Sequence, residues 1–192
     1  ELMQNAVPSD KGAMAAILGL KDIEVINVCN NLKEKGVIEA VNFNSPGQVV
    51  VAGEKKLVDS SLETFKAAGA KRAIVLPVSV PSHCSLMKEA AIEFKEFLTS
   101  VNFAKPIFPV VQNFEAIAYE NEEKIKEGLF HQLFNPVRWT QSIEFMSEKK
   151  LNTFLEIGPG KVLTSLGKRI NRDSKNISID SIDSITKFKE IS

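Results

Sequence analysis

The sequence predicts an α/β chain that opens with a βαββαβ unit, and three observations carry that reading. The apolar run Ala13 to Leu20 is followed by Val25, Val28, Cys29 and Leu32 at helical spacing behind Asp22, a strand and then an amphipathic helix. Two strand-like runs, Val37 to Phe43 and Val49 to Ala52, flank Asn44-Ser45-Pro46-Gly47, whose Pro-Gly pair signals a turn. Val58, Leu62 and Phe65 repeat at helical spacing, Gly69 closes that helix, and Ala73 to Leu76 supplies another apolar run before Pro77. This order is the ferredoxin-like arrangement, in which two βαβ halves make one antiparallel sheet with both helices on one face.

Ahead of this unit, Leu2, Met3 and Ala6 have helical spacing and Pro8 stops them, so residues 1 to 10 read as the end of a helix begun earlier. Residues 11 to 80 form the small unit, and from residue 81 to 192 the alternation changes. A helix is expected from Ser85 to Leu98, a strand from Ile107 to Val111, helices around Glu122 to Leu133 and Trp139 to Lys149, and a strand from Phe154 to Ile157. After Gly158-Pro159-Gly160 comes a helix whose apolar face is Val162, Leu166 and Ile170, then a short strand, Ile177 to Ile179, and a polar tail. Strands that alternate with helices suit a parallel sheet. Three strands make a thin one, so part of that sheet is expected to lie outside these residues.

Composition narrows the function. The chain has 192 residues, 44% hydrophobic and 25% charged, with 24 Lys+Arg against 24 Asp+Glu. The charges divide evenly about residue 80, with 9 basic and 9 acidic residues before it and 15 of each after it. Neither part carries the positive excess that phosphate-backbone binding requires, so nucleic acid is not an expected partner. The apolar stretches fall short of the roughly 20 residues of a membrane helix, and no signal-like segment opens the chain. Cys29 and Cys84 form no CxxC or His-rich pairing, which fits a reducing, cytoplasmic address. The chain begins at Glu1 and not at Met, which is compatible with a fragment, a processed product or a chain whose first part is missing.

His83 sits in Pro77-Val78-Ser79-Val80-Pro81-Ser82-His83-Cys84, a proline-bracketed loop between the small unit and the next helix. Loops held by rigid elements are where catalytic side chains concentrate, and an imidazole titrates near working pH. Spacing leaves two readings open: a general base, or a histidine that caps a helix. Adjacent side chains of an extended chain point apart, so Cys84 reads as a buried thiol and not as a nucleophile activated by His83. Cys29 falls on the apolar face of its helix, and His131 reads as a solvated residue at the end of a charged one. No metal-ligand spacing stands out, Gly158-Pro159-Gly160 lacks the rest of a phosphate loop, and no Gly-x-Ser-x-Gly elbow occurs anywhere. A histidine-dependent acyl-transfer site in this chain therefore has no evident serine.

Several long motifs in register carry a resemblance. Gly12 through Leu20, Val41-Asn42-Phe43-Asn44-Ser45-Pro46-Gly47-Gln48-Val49-Val50, Gly69-Ala70-Lys71-Arg72, Leu76 through Met87, Gln132-Leu133-Phe134-Asn135-Pro136-Val137-Arg138-Trp139 and Glu156 through Leu163 together resemble bacterial malonyl-CoA:acyl-carrier-protein transacylase, over nearly the whole chain. The resemblance implies an α/β-hydrolase-like large subdomain, of which residues 81 to 192 are the C-terminal part, with the ferredoxin-like unit inserted in it. It implies ping-pong transfer of malonyl from coenzyme A, through a serine ester, to the phosphopantetheine thiol of acyl carrier protein in fatty acid biosynthesis, with no metal or bound cofactor. By the same resemblance His83 is the base and the Gln132 backbone carbonyl orients it. Asn42, Asn44 and Gln48 line the substrate cleft, although turn-forming is an equal reading for Asn44. Lys71, Arg72, Lys168 and Arg169 match a basic patch that receives the carrier protein, and each is equally readable as solvated surface. The family's serine elbow, its Gly-Gln-Gly-Ser-Gln segment and the arginine that selects malonyl have no counterpart in these residues. Two alternatives stay open, an inert carrier-protein-binding fragment and an acyltransferase for another acyl-CoA.

Overall fold

A computed structural model describes residues 2–8 and 10–191. They form two compact units, one running to Trp139 and one starting at Thr140.

The first unit opens with a short helix α1 (Leu2–Ala6) and then the expected βαββαβ series: β1 (Gly12–Leu18), α2 (Asp22–Leu32), β2 (Ile38–Ser45), β3 (Gln48–Glu54), α3 (Lys55–Ala67) and β4 (Arg72–Val75). The strands make a four-stranded sheet in the order β2-β3-β1-β4, antiparallel at every pairing. β1 and β3 are its inner strands and are apolar on both faces, which is why their sequences read as continuous apolar runs. Ala13, Ala15 and Ile17 of β1 share one buried cluster with Val25, Val28, Cys29 and Leu32 of α2 and with Leu57, Val58 and Phe65 of α3, so both helices cover the same face. Met14, Val50 and Ala52 point to the opposite face, where Val41 and Cys84 pack with them. That second face seats the loop that carries His83.

Two glycines permit close approaches, and one of them places this loop. A Cβ on Gly12 would lie 2.3 Å from Pro81 Cδ, and one on Gly53 would lie 2.0 Å from the Val37 carbonyl oxygen. Neither distance is sterically possible, so the absence of a side chain is what lets Pro81 rest on β1. The β2–β3 turn uses Gly47 at φ 73°, the left-handed conformation that a Pro-Gly turn demands of its third residue.

Beyond β4 come a 3-10 turn at Ser85–Met87, α4 (Lys88–Ser100), β5 (Val110–Gln112), β6 (Ile117–Tyr119) and α5 (Glu122–Gln132). Here the expectation of a strand from Ile107 to Val111 in a parallel sheet is corrected. Ile107 and Phe108 lie outside any strand and are 90% and 77% exposed; pairing starts only after Pro109, which has no N–H to give. β5 then pairs antiparallel with β6, a strand the sequence reading missed, through a tight turn closed by Ala116 N–H donating to the Gln112 carbonyl at 2.8 Å.

The second unit contains most of α6 (Trp139–Glu148), then β7 (Thr153–Ile157), α7 (Val162–Ile170), β8 (Lys175–Ile179) and α8 (Ile182–Ile191). β7 and β8 are parallel neighbours joined by α7, as the alternation predicts. The apolar face expected for α7 holds at Leu166, whereas Val162 is 67% exposed. The expected polar tail is instead helical. Ser181 accepts from the Ser184 N–H at 3.3 Å and Asp183 sits in the first turn, so the Ser/Asp run is a helix start.

Candidate active site

The site forms where the C-terminal end of α5 meets the loop before α4. A helix ends with carbonyls that have no partner within it, and α5 ends at Gln132. His83 supplies two donors from one residue: its backbone N–H donates to Leu133 O at 3.0 Å, and its ring Nδ1 lies 2.7 Å from Gln132 O. A carbonyl oxygen can only accept, so Nδ1 carries the proton and Nε2 keeps its lone pair. His83 adopts φ 67°, a left-handed conformation uncommon for a residue with a side chain, and the paired bonds to α5 hold it there.

Burial is the main influence on the titration of His83, pushing its pKa below the ordinary 6.5, while the bond to Gln132 pulls the other way. The imidazole is therefore neutral near pH 7 with Nε2 free to accept a proton. Once protonated, it would face the Gln132 carbonyl at the negative end of the α5 dipole, which favours the cation. An imidazole held in this way is chemically able to act as a general base, with a carbonyl in the place where a carboxylate more often orients the ring. Both readings open in the sequence stay compatible with it, because His83 caps the end of α5 through Nδ1 and its backbone N–H while Nε2 remains an acceptor.

The loop is tied from its other end by Glu39 of β2, a residue the sequence reading passed over. Its carboxylate accepts from Ser85 N–H at 3.1 Å and from Ser85 Oγ at 2.5 Å. Cys84 is fully buried and donates from Sγ to the Pro81 carbonyl at 3.0 Å, and burial pushes its thiol up to about 12. Cys29, on the buried face of α2, is likewise pushed up to about 12 by burial. Both agree with inert packing.

His131 departs from expectation. It is half-buried with its ring stacked on Phe114 at 4.9 Å and edge-on to Phe130 at 4.9 Å, and it lines a groove of about 520 Å³ with Lys95, Thr99 and Phe130. The apolar neighbours Phe114, Phe130 and Phe134 hold it, so it is not a solvated residue.

Of the expected cleft residues, Asn42 and Asn44 lie on β2 and Gln48 opens β3, so they stand on strands and not in the turn between them. All three are half-buried. Asn42 bridges to Val137, and the ladder runs from Val137 N–H to Val41 O at 2.8 Å and from Phe43 N–H to Val137 O at 2.9 Å. This carries β2 to within a few residues of Gln132. Lys71 and Arg72 are exposed at the start of β4. Lys168 and Arg169 are exposed in the last turn of α7, where cations suit the helix dipole. Among the described residues no group of three or more His, Cys, Asp and Glu is placed to hold a metal ion.

The relatives of this chain are acyltransferases. More narrowly, the relatives it is similar to are malonyl CoA-acyl carrier protein transacylases. It is 50% identical over 170 residues to the one from Escherichia coli strain K12, covering 88% of this chain and 55% of the relative. It is 45% identical over 190 residues to that of Haemophilus influenzae, covering 99% of this chain and 61% of the relative. Among solved structures it matches an acyl carrier protein S-malonyltransferase from Vibrio cholerae with TM-score 0.95 and 46% identity, over 97% of this chain and 61% of that one. It also matches a malonyl-transacylase solved with its type II PKS acyl-carrier protein, with TM-score 0.96 and 45% identity, over all of this chain and 62% of that one. The chain thus spans little more than half the length of these relatives. No protein-family model matches it.

Proposed function

We propose that this chain is the histidine-bearing part of an acyltransferase that moves malonyl from malonyl-CoA to the phosphopantetheine thiol of acyl carrier protein, with a serine nucleophile contributed from outside these residues. The bond from His83 Nδ1 to Gln132 O carries the reading, because it leaves Nε2 as an acceptor. In the first half-reaction His83 Nε2 takes the serine hydroxyl proton as the oxygen attacks the thioester carbonyl. When the C–S bond breaks, the imidazolium returns that proton to the coenzyme A thiolate. The second half-reaction runs the same steps in reverse, with the carrier thiol attacking the serine ester and giving its proton to Nε2. The malonyl-CoA thioester is a substrate, and no metal or bound cofactor takes part.

The all-antiparallel order β2-β3-β1-β4, with both helices on one face, supports reading residues 11 to 80 as a ferredoxin-like small subdomain. Residues 1 to 10 then end a helix of the large subdomain, and residues 81 to 192 are the C-terminal part of its α/β-hydrolase-like body. Asn42, Asn44 and Gln48 have amides suited to the malonyl or pantetheine portion. Lys71, Arg72, Lys168 and Arg169 offer charge to an acidic carrier protein. A cytoplasmic address belongs to the same proposal, and no helix among the described residues is long and apolar enough to cross a membrane.

The test joins this chain to the N-terminal portion of the Escherichia coli relative, so that the serine elbow is supplied, and follows intact mass after incubation with malonyl-CoA. A malonyl adduct that passes to acyl carrier protein is expected, with the rate falling about 10³-fold in His83→Ala. A folded chimera with no adduct, or one indifferent to His83→Ala, rejects the reading.

A further inference from the structure

We propose that Asn135 is a positioning residue for His83, acting through the carbonyls at the end of α5; the proposal rests on His83 serving as the base. Three successive carbonyls leave this helix end, and each receives a donor. His131 O accepts from Asn135 Nδ2 at 2.8 Å, Gln132 O faces His83 Nδ1, and Leu133 O accepts from His83 N–H. The Gln132 side chain folds back, its Nε2 donating to Asn135 O at 2.9 Å and to Pro136 O at 3.2 Å. Asn135 is therefore held at both ends, by its amide to the carbonyl before Gln132 and by its own carbonyl to the Gln132 side chain. Pro136 confines it further, since a residue before proline is kept out of the helical conformation.

The consequence reaches β2. Two residues beyond Asn135, Val137 joins the ladder of Val41 and Phe43, while Glu39 of the same strand holds Ser85 on the other side of His83. Both partners of the His83–Gln132 bond hang from one strand, and the only slack between Val137 and Gln132 is the arc that Asn135 closes. Without the Asn135 amide, His131 O still has the Phe134 N–H at 3.3 Å, so the helix end is not orphaned. What is lost is the fixed direction of Gln132 O, and with it the preference for a proton on Nδ1. An imidazole with its proton on Nε2 cannot take another there.

The test reads the ring directly on the full 192-residue chain. In long-range 1H–15N spectra at pH 8, His83 is expected to show a protonated Nδ1 and an unprotonated Nε2. Asn135→Asp keeps the shape and removes the donor, and Gln132→Met keeps the backbone carbonyl and removes the side-chain donor. In either variant the Nε2-protonated tautomer of His83 is expected to rise several-fold, while the rest of the spectrum stays folded. Folded variants with unchanged ring shifts overturn the proposal. If Asn135→Asp unfolds, Gln132→Met decides; if both unfold, these amides hold the fold and not the imidazole, and the proposal fails. Because the tautomer is read without turnover, this outcome is independent of whether the chimera transfers malonyl.

Discussion

His83 and Gln132 are 49 residues apart in sequence, yet the imidazole Nδ1 of one lies 2.7 Å from the carbonyl oxygen of the other. A carboxylate in that position would add a full negative charge and raise the histidine pKa; a carbonyl adds only a dipole. Burial then dominates, and the imidazole stays neutral near pH 7.

This makes the titration of His83 a sharp test. With its pKa lowered in the fold, the unfolded chain binds more protons between the folded value and 6.5. The contribution of His83 to stability is therefore complete above pH 6.5 and is lost as pH falls through that window toward the folded value. The NMR titration midpoint of His83 is expected below 6.5, and a midpoint at or above it would sink the neutral-base account.

Glu39 is expected to matter through Ser85. Its half-buried carboxylate satisfies both the backbone N–H and the hydroxyl of Ser85, so Glu39→Ala leaves two donors without their acceptor. Chemical denaturation should show a loss of about 1–3 kcal/mol. In a double-mutant cycle with Ser85→Ala the two losses should fall short of additivity by about 1 kcal/mol; simple additivity means the contact carries no energy.

Much of this fold was legible in the chain because its small unit is built from local signals. Spacing in α2 and α3, the Pro46-Gly47 turn and the apolar runs of β1 and β3 each point to one structure, and the βαββαβ order follows from them. Legibility fell where local composition misleads. Ile107 and Phe108 look like strand, but the prolines on either side of them withhold N–H groups. The Ser/Asp run at residues 180–184 looks like tail, but Ser181 caps α8. The strands reach past the apolar runs, to Asn44 on β2 and Gln48 on β3, because a strand end with bulges looks like a turn, and β2 has register shifts at Ala40/Asn42 and Phe43/Ser45. His131 was read as solvated because its aromatic neighbour Phe114 comes from outside its own helix. As for the site, the motif resemblance picked out His83 and Gln132. Glu39 carries no motif, and only the fold brings it to Ser85; its standing as the one charged residue of β2 was the available signal.

The thiols offer a negative test with a physical basis. Burial pushes both Cys29 and Cys84 up to about 12, leaving almost no thiolate at pH 8. In the native chain both should react with a disulfide reagent at least 100-fold more slowly than after denaturation in guanidinium. Fast modification of Cys84 in the folded chain would show that the His83 loop opens away from the sheet.

Gly12 links packing to the base. A methyl there would meet Pro81 Cδ at 2.3 Å and the Ser79 carbonyl at 2.8 Å, and Pro81 is fully buried two residues before His83. Gly12→Ala must push the loop outward, costing about 1–3 kcal/mol. It should also perturb the His83 ring signals, since the bonds to Gln132 and Leu133 start from that loop. Gly53→Ala meets the Val37 backbone instead, so it should cost stability while leaving the ring signals in place. Equal effects of both variants on His83 would mean that Pro81 does not set the loop.

The second unit has its own electrostatic joint at Glu156. Standing on β7, its carboxylate accepts from Leu163 N–H at 3.0 Å and Thr164 N–H at 2.7 Å, satisfying two of the free donors at the start of α7. The Thr164 side chain first, and then the N–H groups of Thr164 and Leu163, hold the carboxyl below its ordinary 4.5 against the opposing effect of burial. A lowered carboxyl pKa means that the unfolded chain takes up protons first as the solution is acidified. The stabilisation is therefore full above pH 4.5 and is lost as pH falls through the lower, folded value. Glu156→Gln keeps the shape but turns an NH₂ toward one of the two N–H groups, and at pH 7 it should cost about 0.5–2 kcal/mol, the range for loss of a helix cap. Hydrogen exchange at Leu163 and Thr164 is the local readout: it should be faster in Glu156→Gln at pH 7, and the difference from wild type should close below pH 4.5. A difference that persists unchanged into strong acid would assign the protection of this helix start to packing and not to the charge on Glu156.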